Sequence, residues 1–592
     1  MADKQPLSRG NWSTRFGFVL AAAGSAVGLG NIWKFPYITG VYGGGAFVLV
    51  YLGCVLIVGL PLMIAELVIG RRAQENPVGA FQKLHREGSP WKSVGWLGVL
   101  SGFVILSYYS VVAGWALAYI FESAAGFSGT PAEIQGQFAE LVGSPSRSVL
   151  WHTIFMALTV GIVLGGVKRG IERWSKILMP ALVLILLGLM FYGLFATHGG
   201  GKALSFLFAP NFSELTGEGF LSALGHAFFT LSLGMGAMIT YGSYMGREGR
   251  IVRDAITISI LDTVIALLAG IAIFSLVFSY GLEPNAGTGL IWETLPVLFA
   301  DTGQLVSVPF FILLSFAALS SSISLLEVVV SYFIDKRGWS RARATLTMGI
   351  LIYAIGVPCA LSSLKLVYGG WESGFFNLFD VVSTNYMLPI GGLLTCVFVA
   401  WTVKDKVRSE EFGSSGLTYR VWVLLIRFVT PVAVAVVLLH GIGVIAFNKP
   451  PMVPKGALFV KEMPITPSGE HRLAISATFT DPDQPAVEDF SVAFRILNAA
   501  DSSEAFVVEG LKDGAEGLSI INNNDGTYTA KYSLRPAREF MHGDYDLIFE
   551  VSDGSDVAAD SLSDLLNVMI PAADSTALDS TTVDSSMTIE GE

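Results

Sequence analysis

The sequence predicts an all-α polytopic membrane protein of eleven transmembrane helices, followed by a small all-β domain. Three observations carry this. Of 592 residues 52% are apolar and only 14% charged, with mean hydropathy +0.59, a composition no soluble protein carries. Apolar runs of about 20 residues, the length that spans a bilayer's hydrocarbon core, recur eleven times. The charge also divides at residue 447, with 28 Lys+Arg against 23 Asp+Glu before it and 9 against 25 after it, net +5 and −16.

The runs fall at 16–38, 45–69, 94–121, 149–166, 175–196, 219–245, 256–280, 305–333, 344–362, 378–402 and 421–447. Lys and Arg in connecting loops stay preferentially on the cytoplasmic side. Alternate connections hold 23 of them, among them Lys4, Arg71, Lys168, Arg247, Arg250, Arg253, Lys336 and Lys404, while the intervening loops hold only Arg147, Lys202 and Lys365. The amino terminus is therefore expected in the cytoplasm, and eleven crossings leave the carboxy-terminal part outside it. The expected domains are a helical membrane unit over 1–447, an extracytoplasmic β-sandwich over 455–570, and a disordered acidic Ser/Thr-rich tail over 571–592. Short alternating stretches such as His471–Thr480, Ser491–Leu497 and Tyr545–Val551 carry the β reading, and Asn524-Asp525-Gly526 before Thr527–Tyr532 is a hairpin signal.

Several classes are excluded or disfavoured. No basic patch outside short loops suits nucleic acid. Cys54, Cys359 and Cys396 all lie in apolar runs, where they build neither a disulfide framework nor a metal site. No cleavable signal peptide is expected, because the first apolar run extends past signal length. No catalytic constellation marks an enzyme.

The informative segments are two interrupted spans. The first reads LAAAGSAVGLGNIWKFP, with Gly24, Gly28 and Gly30 followed by Asn31, Lys34 and Pro36. Gly24-x-x-x-Gly28 alone also reads as a close helix-packing face. So many helix-weakening residues nevertheless predict an unwound stretch, which a membrane tolerates only where it is buried in protein or lines a cavity. Freed carbonyls there can hold a hard cation, and freed amides at a half-helix start can hold a carboxylate. The sixth span, FFTLSLGMGAMITY, repeats the pattern, with Gly234 and Gly236 just after Thr230 and Ser232. Interruptions five spans apart point to an inverted repeat with a site at the midplane.

The runs NWSTRFGFVLAAAGSAVGLGNIWKFPY, GGGAFVLVY, GLPLMIAELVIGR and FFTLSLGMGAMITYGSY resemble the neurotransmitter:sodium symporter family, in its bacterial amino-acid transporter branch. The resemblance covers roughly residues 10–447. It implies the LeuT-type fold, a 5+5 inverted repeat with unwound helices 1 and 6, and sodium-driven amino-acid uptake by alternating access across a bacterial inner membrane. It further implies two sodium sites. The first comprises Ala26, Asn31, Thr230 and Asp262, closed by the substrate's carboxylate, and the second comprises Gly24, Val27, Ala317, Ser320 and Ser321. Taken alone, Ser320-Ser321-Ser322 reads equally as hydroxyls bonding back to their own helix.

By the same resemblance the amino acid meets Ala26, Gly30 and Tyr109 through its carboxylate. Its side chain meets Ile105, Phe229, Thr230, Ser232, Met235, Ser321 and Leu325. Monoamine-carrying relatives have an aspartate where this sequence has Gly28, so the substrate brings its own carboxylate. The mostly apolar lining disfavours a charged side chain, which leaves hydrophobic amino acids from aliphatic to aromatic. The implied cytoplasmic latch is Arg15 with Asp335, supported by Trp12, Ser243 and Tyr244, although Asp335 also reads as balancing Lys336 and Arg337. The outer gate is Lys34, with Asp380 the nearest acidic candidate. Gly170 and Pro180 form a hinge in the fifth span. No chloride is expected, since chloride-dependent relatives hold the anion at positions that here are Tyr51, His226, Thr230, Ala266 and Asp262. The alternatives from other classes are an amino-acid sensor signalling through the external domain and a proton-coupled transporter of the same fold. The substrate and surrounding lipid are the expected partners, and nothing indicates a partner for the β domain.

Overall fold

The computed structural model describes residues 10–445, apart from 214, 283, 285–286, 362–363, 369–370 and 443, together with strand segments between 453 and 568. The chain divides into two units, Met1–Phe447 and Asn448–Glu592.

In the first unit, α1 (Arg15–Ala26) and α2 (Gly30–Val41) form a pair bent by 52°. There follow α3 (Gly45–Ala73), α4 (Lys92–Ala125), α5 (Pro145–Leu164) and α6 (Val167–Ala196). The sixth expected span is divided into α7 (Gly217–Thr230) and α8 (Ala237–Ser243), separated by residues 231–236. The remainder are α9 (Ile251–Ser279), α10 (Gln304–Arg337), α11 (Arg341–Ala360), α12 (Phe375–Thr402) and α13 (Leu417–Gly441). Among the described residues nine continuous helices are long and apolar enough to cross a membrane, and the bent pair makes a tenth. The α7–α8 pair does not join them, because the break between its two short pieces, 231–236, is longer than that between α1 and α2. A short antiparallel hairpin, β1 (Lys365–Tyr368) with β2 (Trp371–Gly374), precedes α12.

Local chemistry explains where these helices deviate. Four π-helical turns, Gly30–Lys34, Val55–Gly59, Val382–Met387 and Leu425–Val429, each end two residues before a proline: Pro36, Pro61, Pro389 and Pro431. Proline has no N–H to give the preceding turn and its ring crowds that turn's carbonyl, so the helix widens by one residue instead of breaking. Close helix approach is set by glycine. A Cβ on Gly70 of α3 would lie 2.1 Å from the Ile239 carbonyl of α8, and one on Gly242 would lie 3.1 Å from the Leu67 carbonyl. Backbones can touch this closely only without side chains between them.

In the second unit the described strands are β3 (Val453–Met463), β4 (Arg472–Thr480), β5 (Ser491–Asn498), β6 (Glu504–Lys512), β7 (Leu518–Asn522), β8 (Thr527–Leu534), β9 (Gly543–Ser552) and β10 (Val557–Val568). They pair into two four-stranded antiparallel sheets, ordered β10-β9-β5-β6 and β3-β4-β8-β7. The hairpin turn at 524–526 and the tail 571–592 lie outside the described residues.

The contact at Gly70 gives a direct test. Gly70→Ala should separate α3 from α8 and cost about 1–3 kcal/mol, read as a lower unfolding temperature in detergent. An unchanged temperature would show that the close approach is dispensable.

Candidate functional site

The first break follows from Gly28. Val27 leaves α1 in an extended conformation (φ −69, ψ 109) while its N–H still reaches the Ala23 carbonyl. A Cβ on Gly28 would lie 2.6 Å from Ser321 Oγ and 3.1 Å from Tyr109 Oη, so no side chain fits there. The carbonyls freed at the end of α1 face the middle of α10. Ser321 Oγ lies 3.4 Å from the Gly24 oxygen and 3.2 Å from those of Ser25 and Val27, and Ser320 Oγ lies 3.4 Å from Val27 O and 2.9 Å from Ala317 O. Ser320 and Ser321 supply one hydroxyl proton each against several facing carbonyls, so lone pairs are left facing one another. Such an all-oxygen cluster fits a hard monovalent cation. Gly24 packs closely as well, since a Cβ there would lie 3.2 Å from Ser320 Cβ and Met179 Sδ, and its carbonyl joins the cluster.

The second break is held by two side chains. Ser232 sits in the left-handed region at φ 54, a conformation costing a non-glycine residue roughly 1–2 kcal/mol. There its hydroxyl donates to the Ser25 carbonyl at 2.7 Å, tying one break to the other. Gly234 and Gly236 take φ 81 and 75 without that cost. The Gly234 N–H donates to Oε1 of Glu66, fully buried on α3, at 2.7 Å. Sequence reasoning missed Glu66. Its signal was a lone carboxylate within GLPLMIAE, and buried charge in a span is rare enough to mark function.

Beside these breaks Asp262 of α9 is fully buried. Its carboxylate accepts from Asn31 Nδ2 at 2.8 Å, from Thr230 Oγ1 at 3.1 and 3.2 Å, and from the Tyr51 hydroxyl at 3.4 Å. Asn31 Oδ1 in turn accepts from Gly28 N at 3.0 Å. Among the described residues no basic side chain pairs with Asp262. A buried carboxylate surrounded only by neutral donors leaves its charge unbalanced, and a cation resolves that. His226 packs its ring 5.4 Å from that of Tyr51, with neither ring nitrogen hydrogen-bonded. Ala266, also buried, adds no polar atom.

A pocket opens between the breaks. All ten substrate residues named from the sequence line it: Ala26, Gly30, Ile105, Tyr109, Phe229, Thr230, Ser232, Met235, Ser321 and Leu325. Gly28, expected as the position that sets the substrate's charge, lines it too, as do Ser25 and Leu29, which were not foreseen. Tyr109 Oη accepts from the Leu29 N–H at 3.4 Å.

The gates differ from expectation. Arg15 pairs with Asp254, at 2.6 Å, in place of Asp335. Asp335 accepts from the backbone and side-chain nitrogens of Asn76, at 2.9 and 3.1 Å. Asp254 lies in the first turn of α9, beside the start of α1, a proximity that sequence distance conceals. Trp12 and Tyr244 do meet: the indole N–H donates to Tyr241 O at 3.0 Å, the Trp12 N–H donates to Tyr244 O at 3.2 Å, and the Tyr244 hydroxyl donates to buried Glu327 at 2.6 Å. Arg341 binds both oxygens of Glu327, at 2.7 and 2.9 Å. Ser243 bonds back to Thr240 O within its own helix, apart from Arg15. At the other end Lys34 does not pair with Asp380. Its ammonium lies 5.3 Å from the Phe229 ring centroid, while Asp380 accepts from the Tyr108 hydroxyl at 3.0 Å. The hinge residues share α6. Gly170 lies in a π-helical turn with no room for a Cβ beneath the Ile162 carbonyl, and Pro180 lies inside the helix. Glu172 in that turn accepts from Ser13 N at 2.8 Å, from Thr14 Oγ1 at 3.2 Å and from Lys176 Nζ at 2.6 Å, fastening the segment before α1 to the hinge.

Glu66 supplies the test of this site. Glu66→Ala leaves a buried N–H at the second break unpaired, for about 1–3 kcal/mol, and should lower the unfolding temperature. Glu66→Gln retains an acceptor and should recover most of the loss. Equal stability of all three proteins would remove Glu66 from this role.

Residues 9–128 and 139–453 match the family model for the sodium:neurotransmitter symporter family. An uncharacterized sodium-dependent transporter of Bacillus subtilis, YhdH, is 38% identical over 459 residues, covering 76% of this chain and all of that protein. A second, from Haemophilus influenzae, is 33% identical over 450 residues, covering 73% and 98%. Among solved structures, MhsT in complex with L-phenylalanine superposes with TM-score 0.68 and 44% identity, covering 73% of this chain and all of that one. The helical unit thus has the LeuT-type fold expected from the sequence, and the chain belongs to the sodium:neurotransmitter symporter family.

Proposed function

We propose that this protein couples sodium entry to uptake of a hydrophobic L-amino acid, aliphatic to aromatic, by alternating access through eleven spans with an inward amino terminus. The observation that carries this reading is the direct contact of three features: an apolar pocket, an oxygen cluster from the first break and α10, and an unbalanced buried carboxylate. Gly24, Val27, Ala317, Ser320 and Ser321 would hold one sodium. Ala26, Asn31, Thr230 and Asp262 would hold the other, with the substrate carboxylate completing it near Tyr109. The L-phenylalanine bound by MhsT makes that amino acid the first substrate to try. Residues 455–570 would form a two-sheet β-sandwich outside the membrane, on the side opposite the basic loops.

Labelled L-phenylalanine uptake into proteoliposomes tests the coupling. Accumulation should require a sodium gradient. Asn31→Ala, Thr230→Ala and Ser320→Ala each remove an oxygen from a largely dehydrated ion and should raise the sodium concentration for half-maximal uptake. Undiminished uptake with sodium replaced by potassium would refute sodium coupling, and uptake driven by a pH gradient alone would establish the proton-coupled reading, for which unpartnered His226 is the specific support.

Chloride should be unnecessary. An anion near Tyr51, Thr230 and His226 would stand about 4–5 Å from the Asp262 charge, which at an effective dielectric of about 20 costs roughly 3–4 kcal/mol. Ala266 offers no compensating hydroxyl. Uptake with gluconate replacing chloride at constant sodium should match the control, whereas Asp262→Asn should bind sodium more weakly. A requirement for chloride in the unaltered protein would contradict this account.

A further inference from the structure

A cavity of about 710 Å³ opens at the end of the molecule that carries the basic loops. Four arginines line it: Arg71 from the end of α3, Arg247 and Arg250 from the loop before α9, and Arg253 from the first turn of α9. Glu410 and Glu411, from the helix Asp405–Phe412, face them. Those two carboxylates are already engaged. Glu411 pairs with Arg71 at 2.6 Å, and Arg72 reaches Glu410 at 3.2 Å and Glu411 at 3.4 Å. Arg71 is also fixed on the Gly249 carbonyl. Arg247, Arg250 and Arg253 remain exposed, and among the described residues their side chains have no ion pair or hydrogen bond. Glu248 is exposed in the same loop but does not line the cavity.

The cavity does not end at the basic rim. Ile256 forms part of its wall and begins an apolar stripe on α9, where Ile256, Ile260 and Val264 are 40%, 57% and 44% exposed. Residues four apart lie above one another on one helix face, so the stripe runs about 12 Å from the arginines along the helix. A soluble anion would use the arginines and leave that stripe unmatched. A diacyl lipid uses both.

From this juxtaposition we infer that the cavity binds the headgroup of an anionic phospholipid, its phosphate between Arg247, Arg250 and Arg253 and an acyl chain along Ile256, Ile260 and Val264. Flexible surface arginines by themselves would serve only to orient the chain in the membrane. Here they converge on one concave surface whose acidic residues are neutralised by Arg71 and Arg72. The site abuts Asp254, the carboxylate that holds Arg15, so an occupied site flanks that latch. The inference requires only that this helical unit spans a bilayer. It stands whether or not sodium and an amino acid are the transported solutes.

The test titrates dioctanoyl phosphatidylglycerol onto the full chain in neutral detergent and counts bound lipid by native mass spectrometry. One phosphatidylglycerol should bind in preference to dioctanoyl phosphatidylcholine. Replacing Arg247, Arg250 and Arg253 together by Gln should weaken it about a hundredfold, at about fivefold per arginine, while the triple Lys variant should retain most of the binding. Should the triple Gln variant fail to fold, the three single Gln variants decide, each expected to lose about fivefold at unchanged unfolding temperature. Ile260→Asn should weaken phosphatidylglycerol as well. Equal binding of phosphatidylcholine, undiminished binding by the Gln variants, or displacement of the lipid by millimolar inorganic phosphate would each overturn the proposal, the last by showing a site for free anions.

Discussion

Backbone polar groups inside a membrane must find partners within the protein, since each one left unpaired in hydrocarbon costs several kcal/mol. Every feature of the central site depends on how this chain meets that constraint at its two breaks. Ser232 accepts a left-handed backbone and uses its hydroxyl on the Ser25 carbonyl. Glu66 takes up the Gly234 N–H. What stays incompletely satisfied is the oxygens of Gly24 and Val27 against the hydroxyls of Ser320 and Ser321. The breaks are therefore cross-braced.

Electrostatics sharpen the same design. Charges in a low-dielectric interior act strongly at short range, and Asp262 is met only by neutral donors from Asn31, Thr230 and Tyr51. Ionised, that carboxylate would attract a cation. Lys34, on the same bent helix pair, is spent on the face of Phe229, where a cation is attracted by the ring quadrupole, and so does not neutralise Asp262.

At the end of the molecule that carries the basic loops the charges are arranged as separate clasps. Arg15 with Asp254, Ser13 and Thr14 with Glu172, and Tyr244 and Arg341 with Glu327 fasten the amino-terminal segment, the α6 hinge, α8 and α11 to their neighbours. Removing one partner from a buried pair costs more than the pair contributes, because the survivor keeps its desolvation penalty. Glycine permits the close packing nearby, at Gly170 beneath the Ile162 carbonyl and at Gly70 against α8.

The set expected around the pocket came from resemblance to a known family; what the sequence by itself determined is the order of the apolar runs and the residues at which two of them fail as helices. These are local properties: span length, glycine and proline placement, and the polarity of neighbouring residues all act within a turn or two of helix. The π-helical widening before Pro61, Pro389 and Pro431 was as local, yet it was not read, because a proline signals only a disturbance and not its form. Tertiary structure alone decided which charges meet. Arg15 chose Asp254 over Asp335, Lys34 chose Phe229 over Asp380, and Glu66 reached Gly234 across 168 positions of sequence. Coulomb and hydrogen-bond energies depend on distances of a few ångströms, and those distances are fixed by how close glycine lets each pair of helices approach.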